Sequence, residues 1–246
     1  MKRVLLVGGS SEYVGAVYLA GVSALRSGAD SVIVMAPEKV AWAINALSPD
    51  LMTRKLPGTH LTLAHEAAIK RQLATADVLV LGNGAGVRSA TAALMRKLMR
   101  WPGPKVIDAD ALKALRKGAV DNAILTPNEG EWELLARESD VPALLSRGNV
   151  IIRKGMPTEI LSRAKTYRQP RTNAGLAKAG TGDVLAGLCA GSLARGASLW
   201  DAAREAMATG NAVAGLLAKK KKGYYFLASD IAEELKKSAR LSAKAR

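Results

Sequence analysis

Val78-Leu79-Val80-Leu81-Gly82-Asn83-Gly84-Ala85-Gly86 is a four-residue apolar run that stops on a loop of alternating glycines. A run this short and uniformly apolar suits a strand buried on both faces, and the glycines at its end allow a tight turn. The pattern recurs: residues 4–7, 32–35, 106–107, 123–125 and 150–152 are apolar runs that also stop near Gly, Pro, Asp or Asn. Between them lie 15–26, 61–73, 89–99 and 111–116, where Ala, Leu and Met recur at helical spacing. Strands alternating with helices predict an α/β fold, a mostly parallel sheet covered by helices on both faces. After Arg153 the pattern changes. Residues 159–161 and 165–168 predict a short hairpin turning at 162–164, and 182–195, 199–219 and 229–238 predict helices. With no internal repeat and no Ser/Pro-rich linker, residues 1–246 are expected to form one domain.

Composition narrows the function classes. The hydrophobic share of 49% is enough for a sizeable core. No apolar run approaches the ~18–20 residues that cross a bilayer, and the one after Met1-Lys2-Arg3 is too short for a signal-peptide core. These features predict a cytoplasmic protein with no membrane partner. A single cysteine, Cys189, excludes an internal disulfide framework, and two histidines, His60 and His65, are too few for a histidine metal cluster. Cys189 is expected in the core, and the histidines at a surface or helix cap. The net charge of +15 is the unusual feature. Of this, +6 falls in residues 219–246, part of a basic helical segment spanning 218–246, and the rest is spread over the preceding chain. Such an excess favours polyanionic partners. Aromatic residues are only 4% of the chain and no nucleic-acid motif surrounds the lysines at 219–222, so the tail is expected to be solvated. A nucleic-acid-binding protein on an inactive fold is the reading this leaves behind.

In an open α/β sheet, ligands bind beyond the C-terminal ends of the strands. That rule turns the strand ends into candidate loops: 8–15, 82–86, 108–110, 126–131 and 154–158. The strongest single segment comes later, at Ala179-Gly180-Thr181-Gly182-Asp183. Glycines ahead of a helix let its first N–H groups approach a phosphate, and Asp183 at that position could act as general base on a substrate hydroxyl. A plain glycine turn with Asp183 as a helix cap fits the pattern too. In Thr126-Pro127-Asn128-Glu129-Gly130-Glu131, ahead of a helix opening at Trp132, Asn128 and Glu131 can share one face. They could hold Mg2+ through its waters, or cap the helix. Lys154 follows a core strand, an unusual place for an uncommitted lysine. Asp108 and Asp110 flank another strand end, as caps or as ligand-orienting groups.

In order along the chain, Asn-x-x-Glu, Lys154-Gly155 and Gly-Thr-Gly-Asp resemble the ribokinase-like superfamily, and within it the ADP/ATP-dependent NAD(P)H-hydrate dehydratase family. Residues 6–10 with Tyr13, Gly15 and Ala16 are similar to that family's first strand–loop–helix, and Gly82-Asn83-Gly84-Ala85-Gly86 to its Gly-Pro-Gly-Leu-Gly loop. Val106-Ile107-Asp108-Ala109-Asp110-Ala111-Leu112 resembles its Leu-Asp-Ala-Asp-Ala-Leu segment. Asn173-Ala174-Gly175-Leu176-Ala177, running into residues 180–183, resembles its Asn-Pro-Gly-Met-Ala and Gly-Ser-Gly-Asp motifs. At Asn128 the family's bacterial members typically carry His, a change that keeps a hydrogen-bonding group but removes a titratable ring.

The resemblance implies a three-layer α/β/α sandwich and a repair enzyme that returns hydrated NADH or NADPH (NADHX, NADPHX) to the usable cofactor. ADP or ATP would phosphorylate the hydrate hydroxyl before phosphate is eliminated. It assigns Asp183 as catalytic base, and Ala16, Gly86, Asn128 and Asp183 to the hydrated nucleotide. The adenine nucleotide falls to Lys154, Gly155, Met156, Pro157, Thr158, Gly180, Thr181 and Gly182. Mg2+ would sit near Glu131 and Asn128, held indirectly. It further implies a homo-oligomer, a tetramer in relatives, with no nucleic-acid partner, and the chain's short N-terminus predicts no fused epimerase. The alternative function is an ATP-dependent kinase of a sugar or vitamin-precursor hydroxyl.

Overall fold

The computed structural model describes residues 2–115 and 120–242, leaving aside the side chains of 236–242. The strands are β1 (Arg3–Val7), β2 (Ser31–Pro37), β3 (Met52–Leu56), β4 (Val78–Leu81), β5 (Lys105–Ile107), β6 (Ala123–Leu125), β7 (Val150–Arg153), β8 (Glu159–Leu161) and β9 (Thr166–Arg168). They form one sheet in the order β3-β2-β1-β4-β5-β6-β7-β8-β9. Pairing is parallel from β3 through β7, and antiparallel in the β8–β9 hairpin that extends it. The helices are α1 (Val14–Arg26), α2 (Glu38–Leu47), α3 (Glu66–Leu73), α4 (Ser89–Leu98), α5 (Asp110–Ala114), α6 (Glu129–Glu138), α7 (Val141–Ser146), α8 (Thr181–Ala194), α9 (Leu199–Lys220) and α10 (Ala228–Ser242).

Each strand turns alternate side chains to opposite faces. Val4, Leu6, Val32, Val34, Val78 and Val80 enter one core with α1, α2, α8, α9 and α10. Leu5, Val7, Ile33, Met35, Leu79 and Leu81 enter a second, with α3 to α7. Two cores leave no strand face for water, which is why these strands are unbroken apolar runs rather than alternating ones. The expected three-layer sandwich is therefore the observed one.

The structure extends and corrects the sequence reading at the periphery. Helices α2 and α7 and strand β3 carry no signal that the apolar-run pattern could detect. Strand β3 lies at the sheet edge with Met52, Arg54 and Lys55 exposed, as an edge tolerates. The helix expected over 61–73 begins only at Glu66, after a single tight turn at Leu63–His65. His65 is buried there, its Nδ1 accepting from the Thr62 N–H at 3.1 Å: a cap, as one of the two expected roles. Helix α6 opens at Glu129, ahead of the expected Trp132. Arg116, the expected end of the helix over 111–116, lies outside the described residues. Cys189 is fully buried, and burial pushes its thiol well up, so it is inert.

Helix α8 is apolar all round and sits under α1, α9 and α10, with the sheet beneath. Its contact with α1 depends on Gly187 and Gly191. A Cβ at 187 would stand 2.2 Å from the Ala20 carbonyl oxygen, and one at 191 would collide with the Ser27 hydroxyl. Because α8 carries the Gly-Thr-Gly-Asp segment at its start, this packing also aims the candidate site. Gly187→Leu is expected to push α1 and α8 apart and cost on the order of 1–3 kcal/mol or more. The urea midpoint should fall without a change in slope; an unchanged midpoint would show that the close packing carries no weight.

Candidate active site

The loops after β4, β5, β6 and β7 meet at one edge of the sheet, opposite the start of α8. Those after β5, β6 and β7, with the start of α8, line a cleft of about 510 Å³ that includes Asp108, Asn128, Glu131, Lys154, Gly155 and Asp183. Of the residues singled out from sequence, Asn128, Glu131, Lys154, Gly155, Met156, Thr158, Gly180, Thr181, Gly182 and Asp183 line it. Ala16, Gly86 and Pro157 do not. Ala16 packs toward Gly84, the Gly86 N–H donates to Asp110 Oδ2 at 2.9 Å, and Pro157 borders a separate shallow depression with Arg168.

At the centre is Asp108, 2% exposed at the end of β5. Lys154 Nζ lies 3.1 Å from its Oδ1, the Thr126 hydroxyl donates to the same oxygen at 2.6 Å, and Asn83 Nδ2 donates to Oδ2 at 3.0 Å. Asn83 Nδ2 also donates to Asp183 Oδ1 at 2.7 Å, so one amide joins two carboxylates. Lys154 Nζ is 3.9 Å from Glu131 Oε2 as well. Burial alone would push the Lys154 ammonium down, but Asp108, Glu131 and Asp183 outweigh it and hold it above the ordinary lysine value. Asp183 is raised as well, which for an acid disfavours the charged form. Burial and then the Asp108 carboxylate push it up to about 6, against the opposing Asn83 donor and Lys154 charge, with Asp110 adding to the rise.

Helix α8 starts at Thr181 behind Gly180, whose left-handed backbone (φ 84°) suits glycine. N–H groups of a first helical turn have no partner within the helix, so the start of α8 can receive an anion. Gly182 lies directly against Lys154, where a Cβ would stand 3.0 Å from Nζ. The Thr181 hydroxyl is turned back to the carbonyls of Leu176 (2.5 Å) and Lys178 (2.7 Å), so its side chain shapes the turn. Thr158 likewise bonds inward, to the Gly155 carbonyl at 3.0 Å.

Asn128 and Glu131 are a helix cap: the Glu131 N–H donates to Asn128 Oδ1, and the Asn128 N–H to Glu131 Oε2, both at 2.9 Å. Glu131 also lines the cleft. Among the described residues no group of three or more His, Cys, Asp or Glu side chains could enclose a metal ion. This donor set fits Mg2+ bound mainly through waters and phosphate oxygens, and does not fit a protein cage. Asn83 and Thr126 are the residues that sequence reasoning missed. A polar residue between two loop glycines, where the family's motif has proline, was the available signal for Asn83.

The family model described as NAD(P)H-hydrate dehydratase matches residues 4–237. The chain belongs to that family. A bifunctional NAD(P)H-hydrate repair enzyme from Pyrobaculum aerophilum is 35% identical over 248 residues, covering 95% of this chain and 49% of that protein. An ADP-dependent (S)-NAD(P)H-hydrate dehydratase from Cenarchaeum symbiosum is 33% identical over 250 residues, covering 95% and 86%. The chain thus spans about half the length of the bifunctional relatives it matches. The ADP/ATP-dependent NAD(P)H-hydrate dehydratase from Bacillus subtilis, co-crystallised with ATP and Mg2+, shares the fold. Its TM-score is 0.74 at 24% identity, covering 96% of this chain and 88% of that one. A ribokinase-like protein from Enterococcus faecalis gives a TM-score of 0.82 at 22% identity, covering 97% and 86%. The sandwich is ribokinase-like.

The raised Asp183 carboxyl has a consequence for stability. Its folded-state value of about 6 lies above the ordinary 3.8, so the folded state binds this proton more tightly than the unfolded chain. Its stabilising contribution is full below about pH 4 and is lost as pH rises through about 6. Asp183→Asn removes the charge that the folded site disfavours. The variant should melt above the parent at pH 8, with the gap closing below pH 4. A variant no more stable than the parent at pH 8 would contradict this electrostatic assignment.

Proposed function

We propose that the chain dehydrates hydrated NADH or NADPH at the expense of ADP or ATP, with residues 1–246 acting as one catalytic domain. The observation that carries this reading is Asp183, an acid pushed up to about 6 in the first turn of α8, facing the same cleft as Lys154. A base should be deprotonated at working pH without being too weak to accept a proton, and a value near 6 meets both needs.

Asp183 takes the proton of the hydrate hydroxyl, and the freed oxygen bonds to the terminal phosphorus of ATP or ADP as ADP or AMP departs. Inorganic phosphate then departs with the C–O bonding pair while the adjacent ring carbon gives up a proton to solvent, and the electrons of that C–H bond become the restored ring double bond. The start of α8, at Gly180, Thr181 and Gly182, receives the transferring phosphates. Lys154 supplies positive charge beside them, and Gly155, Met156, Pro157 and Thr158 form the loop against the nucleotide. Ala16, Gly86 and Asn128 are assigned to the hydrated nicotinamide nucleotide by the family resemblance. Mg2+ would sit through its waters near Glu131 and Asn128, where it would neutralise phosphate charge.

In this reading the polyphosphate ligands account for part of the positive charge, without a nucleic-acid or membrane partner. The lysines at 220 and 221 are tied to Glu234 (2.5 Å) and Asp230 (2.7 Å) on the surface, which supports a solvated tail. No helix among the described residues is long and apolar enough to cross a membrane. We take the protein as a cytoplasmic homo-oligomer, tetrameric by analogy with relatives.

The test incubates purified protein with NADHX, Mg2+ and either ADP or ATP and follows the return of NADH absorbance. Regeneration with one or both nucleotides is expected, and Asp183→Asn should lower the rate by about 10²–10⁴-fold, the usual contribution of a general base. No regeneration, together with phosphorylation of a sugar, thiazole or hydroxymethylpyrimidine, would replace this reading with a small-molecule kinase.

A further inference from the structure

Asn83 is fully buried in the loop after β4, and its backbone is fixed: its carbonyl accepts from the Gly9 N–H at 2.9 Å. Its Nδ2 carries two protons, and the structure uses both, one on Asp108 Oδ2 and one on Asp183 Oδ1. Its Oδ1 is buried with no hydrogen-bond partner among the described residues. An asparagine retained only for packing has no reason to orphan a carbonyl oxygen, which is costly to bury. Turning the amide over would give Oδ1 no donor either, and would set it against two carboxylates. The two acids therefore dictate the orientation. Where the family's loop reads Gly-Pro-Gly-Leu-Gly, a proline would offer no such donor.

We propose that Asn83 is a positioning residue, whose amide holds Asp183 Oδ1 so that Oδ2 is presented to the substrate hydroxyl. The link reaches beyond the pair. Asp108 is itself held by Lys154 and Thr126, so Asp183 is anchored through Asn83 to the rigid ends of β5, β6 and β7. The charged groups acting on Asp183 are Asp108 and Asp110 from the β5–α5 turn and Lys154 from the end of β7, with Glu131 of α6 acting on Lys154. Asn83 is the neutral member of the set, and its hydrogen bond favours the ionised form of Asp183. The proposal rests on Asp183 acting as base in the dehydratase reading.

The test compares the parent with Asn83→Leu, which keeps the branching at Cγ and removes the donors, and with Asp108→Asn, which removes the neighbouring charge. Carbon-13 NMR of labelled aspartates titrates Asp183 without substrate, and NADHX turnover gives kcat and KM across pH. In Asn83→Leu the Asp183 midpoint should rise by about one pH unit, the size expected for losing a hydrogen bond to a charged group. The acidic limb of kcat should move with it, and kcat at neutral pH should fall about tenfold or more with KM little changed. In Asp108→Asn the midpoint should move down. Opposite shifts from two neighbouring substitutions separate positioning from general loosening. An Asp183 midpoint unmoved or lowered in a folded Asn83→Leu protein overturns the proposal. If Asn83→Leu does not fold, an unmoved or raised midpoint in Asp108→Asn overturns it instead. A parent that turns over no NADHX refutes the dehydratase reading, and the NMR titration still judges the Asn83 link.

Discussion

The buried carboxylate of Asp108 is the constraint around which the rest of the site is arranged. An isolated charge with 2% exposure would cost several kcal/mol, so it persists only with compensation. Compensation comes from three places: the Lys154 ammonium, the Thr126 hydroxyl and the Asn83 amide. Each partner sits at the end of a different strand, and β4, β5, β6 and β7 are consecutive neighbours in the sheet. One acid thus ties four adjacent strand ends together. The parallel arrangement makes this feasible, since it brings all four C-terminal ends to one edge.

That knot also sets the electrostatics of the cleft. Asp108 pulls Lys154 inward and holds it charged, while its own charge makes ionisation of nearby Asp183 harder. The Asp183 carboxyl, raised first by burial and then by Asp108, and the cation beside the start of α8 therefore both depend in part on one buried pair. The chain's net charge of +15 plays little part at that scale. Lys220 and Lys221 lie on the surface against Glu234 and Asp230, where exposed pairs contribute little.

Much of this was legible residue by residue. The six apolar runs, the hairpin expected over 159–161 and 165–168 (observed from Thr166) and the helix behind Gly180 are where their patterns put them to within a few residues, because two-sided burial leaves an unmistakable apolar run. Strand β3 was not legible, since an edge strand with Arg54 and Lys55 exposed has no such signature. Asn128 and Glu131 had two readings, cap and metal support. Their cap is made by two bonds, and both residues also line the cleft. Ala16, Gly86 and Pro157 came from motif order, and they are not among the residues that line this cleft.

The sequence by itself determined the layered α/β class, the strand-end loops and the identities of Asp183 and Lys154 as chemical groups. Those follow from local patterns: periodicity, glycine placement and a helix start. Only the tertiary structure decided which of those groups act on one another. Asn83 and Asp183 are 100 residues apart, as are no neighbours in a motif, and Asp108 and Lys154 are 46 apart. Their hydrogen bonds exist because the sheet order brings distant strand ends together. The acidity of Asp183 is set by that proximity and by burial, which are properties of the fold and not of any segment.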